Sequence, residues 1–173
     1  MKKIKIQSLA VLVLSGIACM AFTYQAAPVD FKGKWVLDIS KSDFGNTPVP
    51  KPSKSFMRII QQDPMIVIEK SKMDSLGKTT VRMDTVVFDG KVRKITKPNG
   101  SVINRSSARQ WSADQKVMNI ISKFSIDNNG QAVEFSGTEA WSVADGGKTL
   151  IMVMESVLPD RTEKAKLVYN RVD

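Results

Sequence analysis

Apolar and polar residues alternate along most of the chain beyond residue 33. Trp35, Leu37 and Ile39 share one parity, for example, whereas Lys34 and Asp38 share the other. This two-residue period is typical of half-buried strands, and no segment of useful length follows the period of a helix. The pattern predicts strands at residues 34–39, 56–62, 65–72, 79–88, 91–96, 101–111, 117–126, 131–143, 148–158 and 162–172.

Short turn signals separate these segments, among them Asp89-Gly90 and Asp145-Gly146-Gly147. Such residues adopt positive φ at little cost, so they favour tight hairpins between antiparallel neighbours. Consecutive hairpins give an up-and-down sheet, and closing that sheet on itself removes its exposed edges. The predicted fold class is therefore all-β: a single up-and-down antiparallel β-barrel of about 8–10 strands.

Two segments after the first strand do not fit a ladder. Residues 40–45 are compatible with one helical turn, capped by Ser40 or Ser42 and with Phe44 packed beneath it. Residues 47–52 contain three prolines, which lack the N–H that a ladder requires. We expect this second segment to cross one end of the barrel.

The alternation also predicts which side chains face the interior. In residues 117–126, 131–143 and 148–158 the apolar parity is clear. It directs Met118, Phe135, Glu139, Met152 and Met154 inward.

One further strand also shows its inward face, and another is ambiguous. In residues 79–88, Met83 shares a parity with Val81 and Val87, and we assign this parity to the interior. In residues 101–111 one parity carries Arg109 and Trp111, but the other is partly apolar as well. Both orientations of this strand stay open.

The amino terminus has the pattern of an export signal. Three lysines precede an apolar run at residues 9–22, which is too short to span a bilayer comfortably. We predict a signal peptide at residues 1–26, cleaved between residues 21 and 27, and one domain at residues 28–173. A lipid anchor on Cys19 is the alternative, although Gly16 stands where such a signal has a branched apolar residue. The predicted location is periplasmic or secreted.

The composition excludes several kinds of catalysis. The chain has no histidine, and its one cysteine lies in the leader. Ser-His and Cys-His nucleophile pairs and the usual zinc and haem ligand sets are therefore absent. We predict a protein that is not an enzyme, with no catalytic residues, no metal site and no cofactor. A carboxylate or tyrosine acting as acid or base inside the barrel is the enzymatic alternative.

The chain is basic, with a net charge of +9. Removing the leader takes away three lysines and no acids, which leaves about +6. The remaining lysines and arginines are scattered among acidic residues rather than clustered with aromatic ones. We therefore expect a solvated monomer with no transmembrane segment after cleavage and no nucleic-acid partner.

The run Phe31-Lys32-Gly33-Lys34-Trp35 resembles the first-strand signature of the calycins, the group of lipocalins and fatty-acid-binding proteins. Members place Gly-x-Trp at the start of the first strand, and a basic residue near the last strand packs over the indole. Here Arg171 is the candidate for that partner, and a guanidinium over an indole gains cation–π attraction. The region of residues 41–52 is also similar to lipocalin-like domains exported by bacteria. The resemblance implies a calycin-like barrel.

The barrel geometry suggests an interior binding site, since ten strands enclose more space than side chains fill easily. The predicted ligand-binding residues are Met83, Arg109, Met118, Phe135, Glu139, Met152 and Met154. Methionine suits a promiscuous apolar pocket, but it also fills ordinary cores. Glu139 is either a polar anchor for a ligand, a member of an ion pair with Arg82, Arg105 or Arg109, or an outward residue beside a β-bulge.

The first functional hypothesis is an exported barrel that binds a small apolar or amphiphilic molecule in its interior. The alternative is a filled barrel that acts through its surface, as an inhibitor or interaction module of the cell envelope.

Overall fold

Antiparallel strands form one curled sheet in the computed structural model, which describes residues 27–45, 54–74, 76–96, 100–128 and 131–172. The strands are β1 (Gly33–Leu37), β2 (Lys54–Gln62), β3 (Met65–Met73), β4 (Thr79–Val87), β5 (Arg93–Thr96), β6 (Val102–Trp111), β7 (Val117–Asn128), β8 (Gln131–Ala144), β9 (Thr149–Val157) and β10 (Thr162–Val172). Their order in the sheet is β4-β3-β2-β1-β10-β9-β8-β7-β6-β5. The predicted all-β, up-and-down fold is confirmed. The proposed signal peptide and residues 47–52 lie outside the described residues.

The first and last strands are joined by a backbone ladder. Trp35 is the Cα partner of Arg171, and Lys34 is the partner of Val172. The Arg171 guanidinium lies 4.4 Å from the Trp35 ring centroid. Its Nε donates a hydrogen bond to the Gly147 carbonyl oxygen at 2.7 Å, and its Nη1 donates one to that of Lys32 at 3.0 Å. The predicted pairing of Trp35 with Arg171 is therefore confirmed.

Aromatic residues fill the end of the barrel where β1 begins, which we call the lower end. The Phe31 ring stacks on Trp111 at 6.0 Å between centroids and meets Trp141 edge-on at 5.7 Å. Phe31 and Trp141 are fully buried. The backbone N–H of Phe31 donates to the side-chain carbonyl of Gln61, and that of Val29 donates to the carbonyl of Gln115. Residues 29–31 thus cross the lower end and close it.

The segment after β1 differs from the predicted helical turn. Asp43 forms an isolated bridge with Lys166 of β10, through two backbone hydrogen bonds of 2.7 Å. The Ser42 hydroxyl accepts a hydrogen bond from the backbone N–H of Val168. A single turn forms at residues 39–41, closed by a hydrogen bond from the Ser42 N–H to the Ile39 carbonyl oxygen, and from Asp43 the backbone pairs with β10 instead of continuing as a helix.

The sheet ends at β4 on one side and at β5 on the other. No ladder joins these two strands in the part of the chain that the structure describes. We call this opening the β4–β5 gap. The barrel is consequently a curled half-barrel, continuous through β1 and β10 and interrupted at the gap.

Gly33 explains why the first strand needs a glycine two residues before the tryptophan. Its φ is +135°, which L side chains rarely adopt, and a Cβ there would lie 2.8 Å from Nη1 of Arg171. Glycine therefore lets the guanidinium lie over the indole.

We expect Gly33→Ala to lower the free energy of unfolding by about 1–3 kcal/mol, because it combines backbone strain with a displaced Arg171. Urea denaturation followed by tryptophan fluorescence measures the change. Gly77→Ala is the matched control, since Gly77 also has a positive φ, of +79°, but nothing within 4 Å of a Cβ. Equal losses in the two variants would contradict the role given to Arg171.

Candidate functional site

A cavity of about 560 Å³ lies at the β4–β5 gap. We call it the gap cavity, and its lining comprises Ile68, Lys70, Val81, Arg82, Met83, Asp84, Ile95, Thr96, Ile103, Arg105 and Phe124. Its size falls within the range of small-molecule sites in proteins, about 300–1,000 Å³. Isoleucines and a phenylalanine form one part of the wall, and charged side chains form another. The gap cavity is therefore suited to a molecule with both apolar and polar parts.

The polar part of the wall follows from the register of β3 and β4. Ile66 is fully buried and pairs with the buried Val86, so both face the interior. Because parity alternates along a strand, the later inward positions of β3 carry Ile68 and then Lys70. Their partners on β4 are Asp84 and Arg82. Along β3 and β4, the inward side chains therefore change from apolar near the lower end to charged towards the opposite, upper end of the barrel.

A bidentate ion pair spans the gap beside the cavity. Arg105 of β6 donates from Nη1 and Nη2 to the two carboxylate oxygens of Asp84 in β4, at 2.8 and 2.9 Å. Its Nη2 also donates to the carbonyl oxygen of Thr85 at 2.6 Å. Paired N–H···O bonds of this kind fix geometry as well as energy. Arg105 thus connects two strands that have no backbone ladder between them.

Arg109 makes a second connection across the same opening. Its guanidinium pairs with Asp63, in the turn between β2 and β3, and lies 5.4 Å from the Phe88 ring centroid. The orientation of β6 is thereby settled, since the parity of Arg105 and Arg109 faces the interior. Arg109 was predicted to bind ligand, and in the structure it is engaged by Asp63.

Glu139 faces the interior as predicted, but its partner is different. The Trp141 indole Nε1 donates to the Glu139 carboxylate at 2.8 Å. Arg105 and Arg109 are held by aspartates at the gap, so the ion pair considered for Glu139 with either of them does not form. Burial raises the pKa of Tyr169 to about 12, and the negative charge of Glu139 adds to the effect.

The predicted methionines occupy different environments. Met118 and Met152 are fully buried beside Trp141, so they belong to the packed core rather than to the gap cavity. Met154 is half-buried and is the Cα partner of Glu139. The ligand-binding roles of these residues stay predictions.

The inward assignment of Met83 is wrong. The side chain is 71% exposed, because Val86, on the other parity of β4, faces the core. Met83 nevertheless lines the gap cavity at its outer margin. Phe135 faces inward and stacks on Phe124 at 4.8 Å, and Phe124 in turn lines the gap cavity.

Sequence reasoning missed the charged residues of the cavity wall as binding residues. Lys70 continues the parity of two buried isoleucines in β3, and Arg82 and Asp84 continue the parity of Val86 in β4. The alternation in β4 is present in the sequence, but the prediction assigns its apolar parity, with Val81 and Met83, to the interior. Where the interior is polar, the inward parity is the polar one.

A second cavity, of about 570 Å³, lies along β6–β8. Its lining includes the stacked rings of Phe124 and Phe135 together with polar side chains of the other parity, Asn104, Ser106, Lys123, Glu134 and Ser136. The predicted site residue Phe135 therefore lines this cavity.

The sheet order, the ladder between first and last strands and the Trp35–Arg171 contact together define a calycin-like fold. Among solved structures, the chain is similar to Rv2717c from M. tuberculosis, at 11% identity and a TM-score of 0.50, over 82% of this chain and 92% of that one. It is also similar to zebrafish ileal bile acid-binding protein complexed with cholic acid, at 12% identity and a TM-score of 0.45, over 82% of this chain and 98% of that one. No family model matches the chain, and no curated protein matches its sequence.

Helices long and apolar enough to cross a membrane are absent from the described residues.

We expect Asp84→Asn to loosen the gap, because it removes the carboxylate that joins β4 to β6. The expected loss of stability is about 1 kcal/mol, since Asp84 is half-exposed and its ion pair is partly screened. Hydrogen–deuterium exchange should rise in β4 and in the upper half of β6. Asp89→Asn is the control, because the Asp89–Arg93 pair is also bidentate but joins residues four apart in one segment. Unchanged exchange in Asp84→Asn would contradict a role for the ion pair in holding the gap.

The raised pKa of Tyr169 predicts a loss of stability at alkaline pH. The unfolded phenol ionises near its ordinary pKa of about 10, whereas the folded phenol keeps its proton to about 12. The contribution of the Tyr169 phenol to the free energy of unfolding is therefore fully present below about pH 10 and is lost as the pH rises towards 12. Glu139→Gln should reduce this decline without abolishing it, because burial is the larger cause.

Phenolate absorbance measures the titration in a Tyr24→Phe background, which leaves Tyr169 as the only tyrosine. Glu134→Gln is the matched control, since Glu134 lies on the same strand with the outward parity. A Tyr169 pKa that does not respond to Glu139→Gln would contradict their proximity inside the barrel.

Proposed function

We propose that this protein is an exported calycin-like barrel that binds a small amphiphilic molecule, without chemical conversion. The observation that carries the proposal is the gap cavity, where isoleucine and phenylalanine side chains lie beside lysine and arginine side chains. A mostly apolar wall with a few placed polar groups is the usual composition of a small-molecule site.

The position of the cavity also supports binding. The lower end is closed by buried aromatic residues, so a ligand has no route there. Among the described residues no backbone ladder joins β4 to β5, and the side chains of the cavity wall line the passage at this point. Entry through the gap requires rotation of side chains rather than rupture of a ladder.

Export is the second part of the proposal. It rests on the pattern of residues 1–26, which lie outside the described residues. A periplasmic or secreted location brings the barrel into contact with molecules that cross or leave the cell envelope.

The alternative function, a module that acts through its surface, has one observation in its favour. Phe56, Val81 and Met83 lie on the outer face of β2–β4 and are 40%, 62% and 71% exposed. Exposed apolar side chains grouped on one face are typical of interaction surfaces. The experiment below distinguishes the two functions.

Native mass spectrometry of protein purified from its own host should reveal a bound small molecule. Ile95→Trp is expected to remove it, because Ile95 lines the gap cavity and an indole would occupy the space. Val102→Trp is the matched control, since Val102 lies on the neighbouring strand with the outward parity and is 45% exposed. A bound mass that persists in Ile95→Trp would locate the ligand elsewhere. Absence of any bound mass from the unaltered protein would favour the surface module.

A further inference from the structure

Three basic side chains converge on the interior side of β3 and β4. Lys70 and Arg82 are direct Cα partners on neighbouring strands, and Lys72 follows Lys70 on the same parity. Like charges directly opposite each other in a sheet are destabilising. The cations Lys70 and Arg82 therefore lower the stability of the β3–β4 pair at this point of the wall.

Among the described residues, the cations Lys70, Lys72 and Arg82 have no acidic partner at ion-pair distance. The nearest inward acid on β4 is Asp84, and its two carboxylate oxygens accept hydrogen bonds from Nη1 and Nη2 of Arg105.

The electrostatic effect is visible at Lys72. Its pKa is lowered, first because burial disfavours the charged amine and then because Lys70 and Arg82 repel it. The cluster is thus a region of positive potential with no ion-pair partner in the part of the chain that the structure describes, and Lys70 and Arg82 line the gap cavity beside it.

We propose that Lys70, Lys72 and Arg82 bind the anionic group of the ligand, a carboxylate, sulfate or phosphate, at the gap cavity. The inference rests on the function proposed above and narrows the ligand to an anionic amphiphile. Arg82 supplies a planar fork for two oxygens, and the lysines supply point charges. The apolar tail lies against Ile68, Ile103 and Phe124, which line the cavity together with Lys70 and Arg82.

An anion bound at this position offsets the electrostatic repulsion between the three cations. Binding of the anion therefore also stabilises the fold at this point. The apolar wall distinguishes an amphiphile from a free inorganic anion, because only the amphiphile gains from burial against it.

Two fluorescent probes with the same rings test the proposal: 1-anilinonaphthalene-8-sulfonate, which carries a sulfonate, and N-phenyl-1-naphthylamine, which is neutral. The unaltered protein should bind the sulfonate probe more tightly. The double variant Lys70→Gln, Arg82→Gln should bind the sulfonate probe about tenfold or more weakly, since it loses two charge-assisted contacts. Its affinity for the neutral probe should stay unchanged.

Lys166→Gln is the matched control, because Lys166 lies on the outward parity of β10 and makes no side-chain ion pair among the described residues. It should leave the affinity for both probes unchanged. Thermal unfolding separates binding from folding, since removal of like charges should leave the midpoint of the double variant equal or higher. A lower midpoint together with loss of both probes would assign the cluster a structural role and overturn the site.

The remaining outcomes are also decisive. Equal affinity of the unaltered protein for both probes would overturn the anion site but leave the proposed binding function intact. If neither probe binds the unaltered protein, both the anion site and the proposed binding function are contradicted. Sodium sulfate that displaces the sulfonate probe completely at low millimolar concentration would indicate a site for a free inorganic anion, in which the apolar wall takes no part.

Discussion

The contact between the Arg171 guanidinium and the Trp35 indole determines how the two ends of the chain meet. One side chain lies over the ring, donates to Lys32 before β1 and donates to Gly147 before β9. Three segments far apart in sequence are fixed by one planar cation, which lysine cannot imitate because it lacks the fork. The positive φ of Gly33 leaves room for the guanidinium. The ladder between β1 and β10, and with it the curl of the sheet, depends on this arrangement.

The opposite side of the barrel is held by different forces. Between β4 and β6 the backbone makes no ladder among the described residues, and the Arg105–Asp84 pair connects the two strands instead, while the Arg109–Asp63 pair connects β6 to the turn between β2 and β3. Exposed ion pairs are worth far less than a ladder with a buried apolar face. The wall is consequently strong at the seam of β1 and β10 and weak at the gap. Opening at the gap leaves the aromatic lower end undisturbed.

The alternation of residues predicted the number of strands and the inner faces of β7, β8 and β9, because those faces are apolar. The pairing of β4 with β5 that consecutive hairpins imply does not form among the described residues. The alternation failed for β4, since it shows that two faces differ but does not show which one faces the core. Val81 and Met83 are the apolar residues of that strand, yet Val86 faces inward. The orientation is set by pairing with Ile66 of β3, a long-range register that local pattern does not contain. The pairing of Arg105 with Asp84 depends on the same long-range register, so the sequence alone did not predict it.

The inward positions of β3 and β4 carry charged side chains beside the gap, and the cost of burying charge explains this location. Buried charge is expensive unless it is paired or hydrated, so unpaired cations are disfavoured among the buried side chains of Phe31 and Trp141 at the closed lower end. At the gap, solvent reaches the interior and the cost of an unpaired lysine falls. A barrel that must both fold and hold a charged group can therefore place its apolar core at the closed end and its cations at the opening. Lys70 and Arg82 occupy inward positions of β3 and β4 beside the gap cavity, as this division requires.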